Sequence, residues 1–154
     1  MSQTADPIAA TVALLLERDA ISTEVGDDVY GEELPDAAAF VASMPKAAIA
    51  VQSAGGIGPG DASYLPVGGL RIDLDCYGTS LYEARRLARI AHSELKAVRR
   101  ELVTYDDEDG NPVSVLIHAY QVAGGMVALR EPVTGWSRVI RTFVVIYAEQ
   151  EVSA

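Results

Sequence analysis

Apolar side chains recur at helical spacing near the start of the chain. Their stripe predicts an amphipathic helix over residues 7–19 that covers a core, with Leu14 off the stripe. Asp6 can cap this helix, and Pro7 suits its first position because a proline there gives up no hydrogen bond. The positions of the stripe are Ile8, Val12, Leu15 and Leu16.

A second helix, with the clearest pattern in the chain, begins after Gly78-Thr79-Ser80. Ser80 and Glu83, three residues apart, have the spacing of a capping box. One arc of about 120° holds the apolar positions, so we expect this side to pack on a sheet. The arc contains Leu81, Ala84, Leu87, Ala88, Ala91, Leu95 and Val98. The other side carries half of the chain's 12 basic residues, namely Arg85, Arg86, Arg89, Lys96, Arg99 and Arg100.

Residues 70–77 alternate between polar and apolar side chains, which is the pattern of a strand with one face in water. We expect Cys76 to be a small buried hydrophobe rather than a reactive thiol. As the single cysteine it excludes an internal disulfide, which suits a reducing compartment. The inner face holds Ile72, Leu74 and Cys76, and the outer face holds Arg71, Asp73 and Asp75.

Three further stretches have β character. Lys46–Ser53 is predicted as a strand, although its alanines would also suit a helix. Two longer β runs close the chain, Val113–Arg130, interrupted at Gly124-Gly125, and Ser137–Glu149. Both faces of the last run are largely apolar, which favours a central strand or a covered sheet.

The remaining stretches are predicted as connections. Residues 21–35 form a turn-rich segment in which Val29-Tyr30 could be a short strand, and residues 37–44 add a helical turn. Residues 54–69 form a long glycine-rich loop, of a length that is usually functional or disordered. Residues 105–112 form an acidic turn because Asp-Gly and Asn-Pro both favour a tight reversal.

The order of helix, strand, strand, helix, strand, strand predicts an α+β fold. Two helices pack on one face of a mostly antiparallel sheet, with long loops or hairpin extensions. A chain of 154 residues with 49% hydrophobic content is long enough for one core, so we expect residues 1–154 to form a single domain. No apolar run approaches the roughly 18 residues that span a bilayer, and the start lacks a signal pattern, so we expect a soluble chain with no membrane partner.

The net charge of −10 makes a generic nucleic-acid binder an unfavourable hypothesis. The charge is unevenly distributed, at −8 over residues 1–70, +3 over residues 71–100 and −5 over residues 101–154. A basic helix face on an acidic body should attract an acidic surface. The partner could be another copy, a different protein or nucleic acid, and the alternative is a solvated face. A contact with another copy would be head-to-tail, and such contacts close into rings.

No catalytic, metal or cofactor site is predicted from the loops. The glycines of residues 56–60 do not have the spacing of a nucleotide-binding loop. The acidic turn resembles a calcium loop, but with Gly110 at loop position six the first ligand would be Tyr105, which breaks the pattern.

The two histidines also carry no catalytic prediction. His92 borders the basic helix face and His118 lies in a strand, and neither has a nearby arrangement of Cys, Asp or Ser that would make it a base. An enzyme alternative is a small hydrolase that uses Asp73, Asp75 or the acidic turn, and it would require a metal.

The predicted strand and the helix after it resemble part of a known family. Arg71-Ile72-Asp73-Leu74-Asp75-Cys76-Tyr77-Gly78 and then Ser80-Leu81-Tyr82-Glu83-Ala84 are similar to the strand, Gly-x-Ser-x-x-Glu-Ala turn and helix of phage tail-terminator (tail-completion) proteins. The resemblance covers most of the chain from about Lys46 onward. The predicted N-terminal helix also stands where the family has one.

The end of the chain is similar to the closing hairpin of the same family. Gly124-Gly125 precedes an Arg130-Glu131-Pro132 turn, and the strand 138–147 follows. The glycine-rich loop and the segment 113–130 are long for a minimal member of the family.

The resemblance implies two helices on an antiparallel sheet and a hexameric ring on the head-proximal end of the tail tube. Such a ring stops tube polymerisation, offers a docking surface for the filled head and catalyses nothing. The implied partners are further copies, the tail-tube protein and a head-closure protein, in the neck of a virion assembled in the host bacterial cytoplasm. DNA would pass through the lumen without specific binding. An alternative is another neck component, a head-closure or adaptor protein.

Under this hypothesis the basic helix face contacts a neighbouring subunit or the tube. A lumen lined mostly by acids would repel phosphates and let DNA slide. The predicted interface residues are Arg85, Arg86, Arg89, Lys96 and Arg99.

Overall fold

The computed structural model describes residues 5–54, 67–148 and 152–153. Its helices are α1 (Pro7–Glu17), α2 (Asp19–Val25), α3 (Ala38–Ser43) and α4 (Leu81–Lys96). Its strands are β1 (Val29–Gly31), β2 (Ala48–Ser53), β3 (Val67–Gly78), β4 (Glu101–Asp106), β5 (Pro112–Val122), β6 (Val127–Arg130), β7 (Ser137–Ala148) and β8 (Val152–Ser153). Within the described ranges no helix is long and apolar enough to cross a bilayer.

The strands form one sheet in the order β1-β2-β3-β7-β5-β4, with β6 pairing β7 and β8 pairing β5. Among the strands of the described residues, β1 and β2 run parallel and the other pairs are antiparallel. The longest ladder joins β3 to β7 from Val67–Ala148 to Gly78–Ser137, so these two strands form the centre of the sheet. The α+β prediction, with a mostly antiparallel sheet, is confirmed.

The main core lies between one face of the sheet and the helices α1, α2 and α4. Leu14, Leu15, Leu87 and Leu95 are buried there against Phe143 and the inner face of β3. As predicted, that inner face consists of Ile72, Leu74 and Cys76, all fully buried. A second, smaller cluster lies on the other face of the sheet and consists of Met44, Ala48 and Tyr77, with Leu34, Phe40 and Trp136 packed against them.

The N-terminal helix is shorter than predicted, and a second helix follows it. Asp6 caps α1 by accepting hydrogen bonds from the N–H groups of Ile8 and Ala9, both at 3.1 Å. The helix ends because Arg18 adopts extended backbone, with φ −86° and ψ 118°, and α2 begins at the next residue. The predicted turn-rich segment is therefore wrong over the residues of α2, where Ile21 and Val25 lie one turn apart and are both buried.

The buried stripe of α1 is also displaced from the predicted one. Leu14, which the pattern placed off the stripe, is buried, whereas Val12 and Leu16 are only partly buried. The helix contacts both β1 and β4, the outer strands of the curled sheet, so packing on two sides decides which of its residues are covered.

Two strand boundaries differ from the predictions. β3 begins at Val67 and pairs with the end of β7, so the predicted loop 54–69 is wrong over its last three residues. Its other predicted part, residues 55–66, lies outside the described residues. β4 was not predicted, because the apolar Leu102 lies on its exposed face and obscures the alternation in which Val103 and Tyr105 are buried. The predicted acidic turn 105–112 is therefore wrong at its ends, where residues 105 and 106 belong to β4 and Pro112 belongs to β5.

Candidate interaction surface

The junction between β3 and α4 explains why the sequence has its glycine and serine there. A Cβ on Gly78 would lie 2.6 Å from the backbone N of Ala84, so only glycine lets the strand approach the first turn of the helix this closely. Ser80 Oγ accepts a hydrogen bond from the N–H of Glu83 at 3.2 Å, which caps the helix as predicted. The carboxylate of Glu83 accepts a second bond from the Thr79 hydroxyl.

The basic residues of α4 are exposed because its apolar stripe is used entirely by the core. Ala84, Leu87, Ala88, Ala91 and Leu95 are buried. The predicted interface residues Arg85, Arg86, Arg89, Lys96 and Arg99 are all exposed.

These basic residues differ in how much of their charge is already paired. Arg86 forms an ion pair with Glu24 of α2, with an N–O distance of 2.9 Å. For Arg85, Arg89 and Lys96 no ion-pair partner exists among the residues that the structure describes. The unpaired charge of α4 therefore belongs to these three side chains.

Arg99 does not belong to the basic side of α4, where the helical pattern placed it. The helix ends at Lys96, so Arg99 lies beyond it. Its guanidinium donates hydrogen bonds to the carbonyl of Lys96 at 2.6 Å and to that of Val98 at 2.8 Å. This side chain satisfies carbonyl groups that the end of the helix leaves free.

The sequence-based prediction missed the aromatic residue of this surface. Tyr82 is 70% exposed, and Arg85, Arg86 and Arg89 follow it at the spacings of three, four and seven residues that share one helix side. Its position outside the apolar arc was the signal that could have identified it. An exposed tyrosine beside arginines is typical of the residues that contribute most to protein interfaces. We call Tyr82, Arg85 and Arg89 the α4 surface.

A second surface feature is a shallow groove of about 500 Å³ on the outside of α1. Val12 and Leu16, two predicted core residues of α1 that the fold leaves partly exposed, lie in its lining, as does Asp106 at the end of β4. The full lining is Ala9, Val12, Ala13, Leu16, Gly31, Thr104, Tyr105 and Asp106. We call this feature the α1–β4 groove.

The outer face of β3 carries a polar cluster rather than the predicted water-exposed row. Asp75 is only 2% exposed, so the prediction of a solvated position is wrong. The apolar cluster around Tyr77 and Trp136 covers this part of the sheet. Burial raises the pKa of Asp75 to about 6, although the neighbouring Arg138 opposes the shift.

Two polar side chains contact the Asp75 carboxylate, and one of them, Arg138, also contacts Glu131. Asp75 Oδ2 accepts hydrogen bonds from Gln52 Nε2 and Arg138 Nη1, both at 3.2 Å. Arg138 Nη1 also lies 3.0 Å from Glu131 Oε1. Asp73 on the same face is partly buried and accepts a hydrogen bond from Thr142.

The remaining candidate residues are in structural positions. The His92 ring lies against Phe143, with centroids 6.0 Å apart, and burial lowers its pKa. His118 lies in β5, and its carbonyl accepts a hydrogen bond from the N–H of Arg100. The Cys76 thiol is buried, which raises its pKa.

The acidic turn between β4 and β5 is ordered by one of its own carboxylates. Asp107 Oδ1 accepts hydrogen bonds from the N–H groups of Asp109 and Asn111, at 3.0 and 2.8 Å, so this side chain orders the turn. Over residues 5–54 and 67–148, no three His, Cys, Asp or Glu side chains are grouped so that they could hold a metal ion. The weak phosphate-loop candidate, residues 56–60, lies outside the described residues.

Comparison with models of known protein families gives no match to this chain, and comparison with curated proteins gives none either. The assignment of function therefore depends on the residues described above.

Proposed function

We propose that this protein is a structural virion protein that forms a ring on the head-proximal end of a phage tail tube. The ring stops polymerisation of the tube and provides the docking surface for the head. The observation that carries the proposal is the α4 surface, where Tyr82, Arg85 and Arg89 are exposed on an otherwise acidic chain. Exposed arginines favour association with an acidic protein surface.

The strand-to-helix junction supports the same proposal. Each residue of the Gly-x-Ser-x-x-Glu-Ala pattern has a structural task there. Gly78 permits the close approach and Ser80 caps the helix. Glu83 accepts a hydrogen bond from Thr79, and Ala84 is fully buried. These tasks fix the direction in which α4 leaves the sheet. The direction of α4 in turn sets where the α4 surface faces, which a repeating assembly requires to be the same in every subunit.

The partners follow from this function. Each subunit contacts two further copies in the ring, which the resemblance gives as a hexamer, and the ring contacts the tail-tube protein on one side and a head-closure protein on the other. DNA crosses the lumen without specific binding because the net charge of −10 repels phosphates. The binding surfaces themselves require no catalytic residue or cofactor.

Electron microscopy of the purified protein over a range of concentrations tests this function. We expect rings with a central channel at high concentration and monomers at low concentration, because the contacts between subunits must be weak enough for the ring to form at the tube rather than in dilute solution. Particles that remain monomeric or form open filaments at every concentration would contradict the ring. The identity of the neighbouring genes separates a terminator from another neck component, since a terminator gene usually precedes the major tail-tube gene.

A further inference from the structure

The α4 surface and the α1–β4 groove are two features of one chain with opposite properties. The first presents an exposed tyrosine followed by two arginines on the same side of the helix, and the second presents a concave, mostly apolar lining. They share no residue, so one molecule can use both at the same time.

The groove has an acidic border. Asp106 is part of the lining, and carboxylates follow three lining positions within two residues in the chain, with Glu17 after Leu16, Glu32 after Gly31, and Asp107 and Glu108 after Asp106. Among the described residues that line the groove, none is basic. Arg18, the nearest cation in the sequence, already forms an ion pair with Glu101.

The acids on the β4 side are free to meet an incoming cation. Asp106 and Glu108 are exposed, and neither forms an ion pair within the part of the chain that the structure describes. Asp107, by contrast, is engaged in the hydrogen bonds of the turn. Asp106 and Glu108 are therefore the acids that an arginine of another molecule can contact without disrupting the fold.

We infer that the α1–β4 groove binds the α4 surface of a second copy of this chain. The Tyr82 ring of one copy packs on the apolar lining of the next, and Arg85 and Arg89 contact the acidic border at Asp106 and Glu108. Charge complementarity selects a second copy as the occupant, because the chain itself carries an exposed tyrosine followed by two arginines that have no ion-pair partner among the described residues. The inference rests on the proposed function, in which each subunit contacts two neighbours.

Such a contact is heterologous, since it joins two different surfaces. Each copy offers one α4 surface and one groove, so the contact repeats from copy to copy and closes into a ring if the rotation allows. A variant that lacks only one surface still binds through the other. This property makes the contact testable with mixtures of two variants.

Disulfide cross-linking between two variants tests the contact even if it is weak. One chain carries Tyr82→Cys and the other carries Ala13→Cys, and the two are mixed in full-length form under mild oxidation. The native Cys76 is buried and does not compete. We expect a disulfide-linked heterodimer, identified by mass. The matched control replaces Tyr82→Cys by Val133→Cys, at a position that is 96% exposed and outside both surfaces.

Charge reversal then tests the ionic part of the contact. Arg85→Glu and Arg89→Glu, added to the Tyr82→Cys chain, should lower the heterodimer yield by about tenfold or more, since each tenfold corresponds to the loss of one moderate ionic contact. Asp106→Arg and Glu108→Arg in the Ala13→Cys chain should restore it. A yield no higher than that of the Val133→Cys control, in folded proteins with unchanged circular dichroism, would overturn the contact.

The same measurements separate this contact from the proposed function. Rings in the microscope without the heterodimer would mean that the subunits associate through other surfaces. The proposed contact would then be wrong, and the proposed ring would remain supported. A specific heterodimer without rings would confirm the contact and contradict the ring. Binding of the α4 surface by a different protein, with no heterodimer, would also overturn the inference.

Discussion

Nη1 of Arg138 lies 3.2 Å from Oδ2 of Asp75, and this ion pair is largely removed from water. The two residues lie on neighbouring central strands, β3 and β7, beneath the cluster that contains Tyr77 and Trp136. Removal of a carboxylate from water disfavours its charged form, and here that cost exceeds the effect of the arginine, because the pKa of Asp75 is raised to about 6. The stability of the fold should therefore depend on pH at this pair.

The first prediction concerns Asp75→Asn. The folded protein holds the Asp75 proton up to a pKa of about 6, against 3.8 for the ordinary group, so this residue stabilises the fold at low pH. That contribution is lost as the pH rises from about 4 to 6. Asp75→Asn should therefore reduce the difference in unfolding free energy between pH 4 and pH 7, by up to about 3 kcal/mol.

Urea unfolding of both proteins at these two pH values measures this effect. Val133→Asn, at a position that is 96% exposed and carries no titratable group, is the control that should leave the difference unchanged. An equal difference in the original protein and in Asp75→Asn would show that the buried carboxylate does not titrate in this range.

The second prediction concerns the strand-to-helix junction. Gly78→Ala would place a Cβ 2.6 Å from the backbone of Ala84, and the helix would have to move. We expect a loss of about 1–3 kcal/mol in the free energy of unfolding. Gly125→Ala is the matched control, since a Cβ there meets nothing within 4 Å. A Gly78→Ala variant as stable as Gly125→Ala would mean that the junction is not as tight as described.

The elements α4 and β3 could be predicted from the sequence, because their capping residue and apolar spacing specify the same structure that tertiary packing stabilises. Ser80 and the apolar arc specify α4, and the alternation around Ile72 specifies β3. Predictions failed where packing decides between similar local patterns. The burial of Leu14 rather than Val12 follows from contacts of α1 with two strands that are far apart in the sequence.

The candidate surface was only partly predictable for the same reason. The exposure of Arg85 and Arg89 follows from helical spacing alone, and the structure agrees with it. The burial of Asp75 could not be predicted, because the cluster that covers it joins segments near Phe40 and Trp136 that lie far apart in the chain. The α1–β4 groove also depends on long-range packing, since residues of α1, β1 and β4 line it together.

The third prediction concerns self-association. Arg85→Glu with Arg89→Glu should shift the protein toward monomer, because it replaces attraction to an acidic surface with repulsion. Their exposure means that the stability of the monomer should change by less than about 0.5 kcal/mol. Sedimentation velocity across a concentration series measures the shift.

Arg71→Glu with Arg130→Glu is the control for this charge reversal. It changes the net charge by the same amount at exposed positions outside α4. We expect its sedimentation profile to remain that of the original protein. An unchanged profile for the Arg85 and Arg89 variant would remove α4 from the subunit contact.

The central claim, that the protein caps a tail tube, is tested most directly by tube growth. Tail-tube protein is polymerised in the presence and absence of this protein, and tube lengths and tube ends are examined by electron microscopy. We predict that growth stops and that one end of each tube carries a ring of extra density. Tubes of unchanged length with bare ends, at concentrations where this protein is folded and in excess, would contradict it.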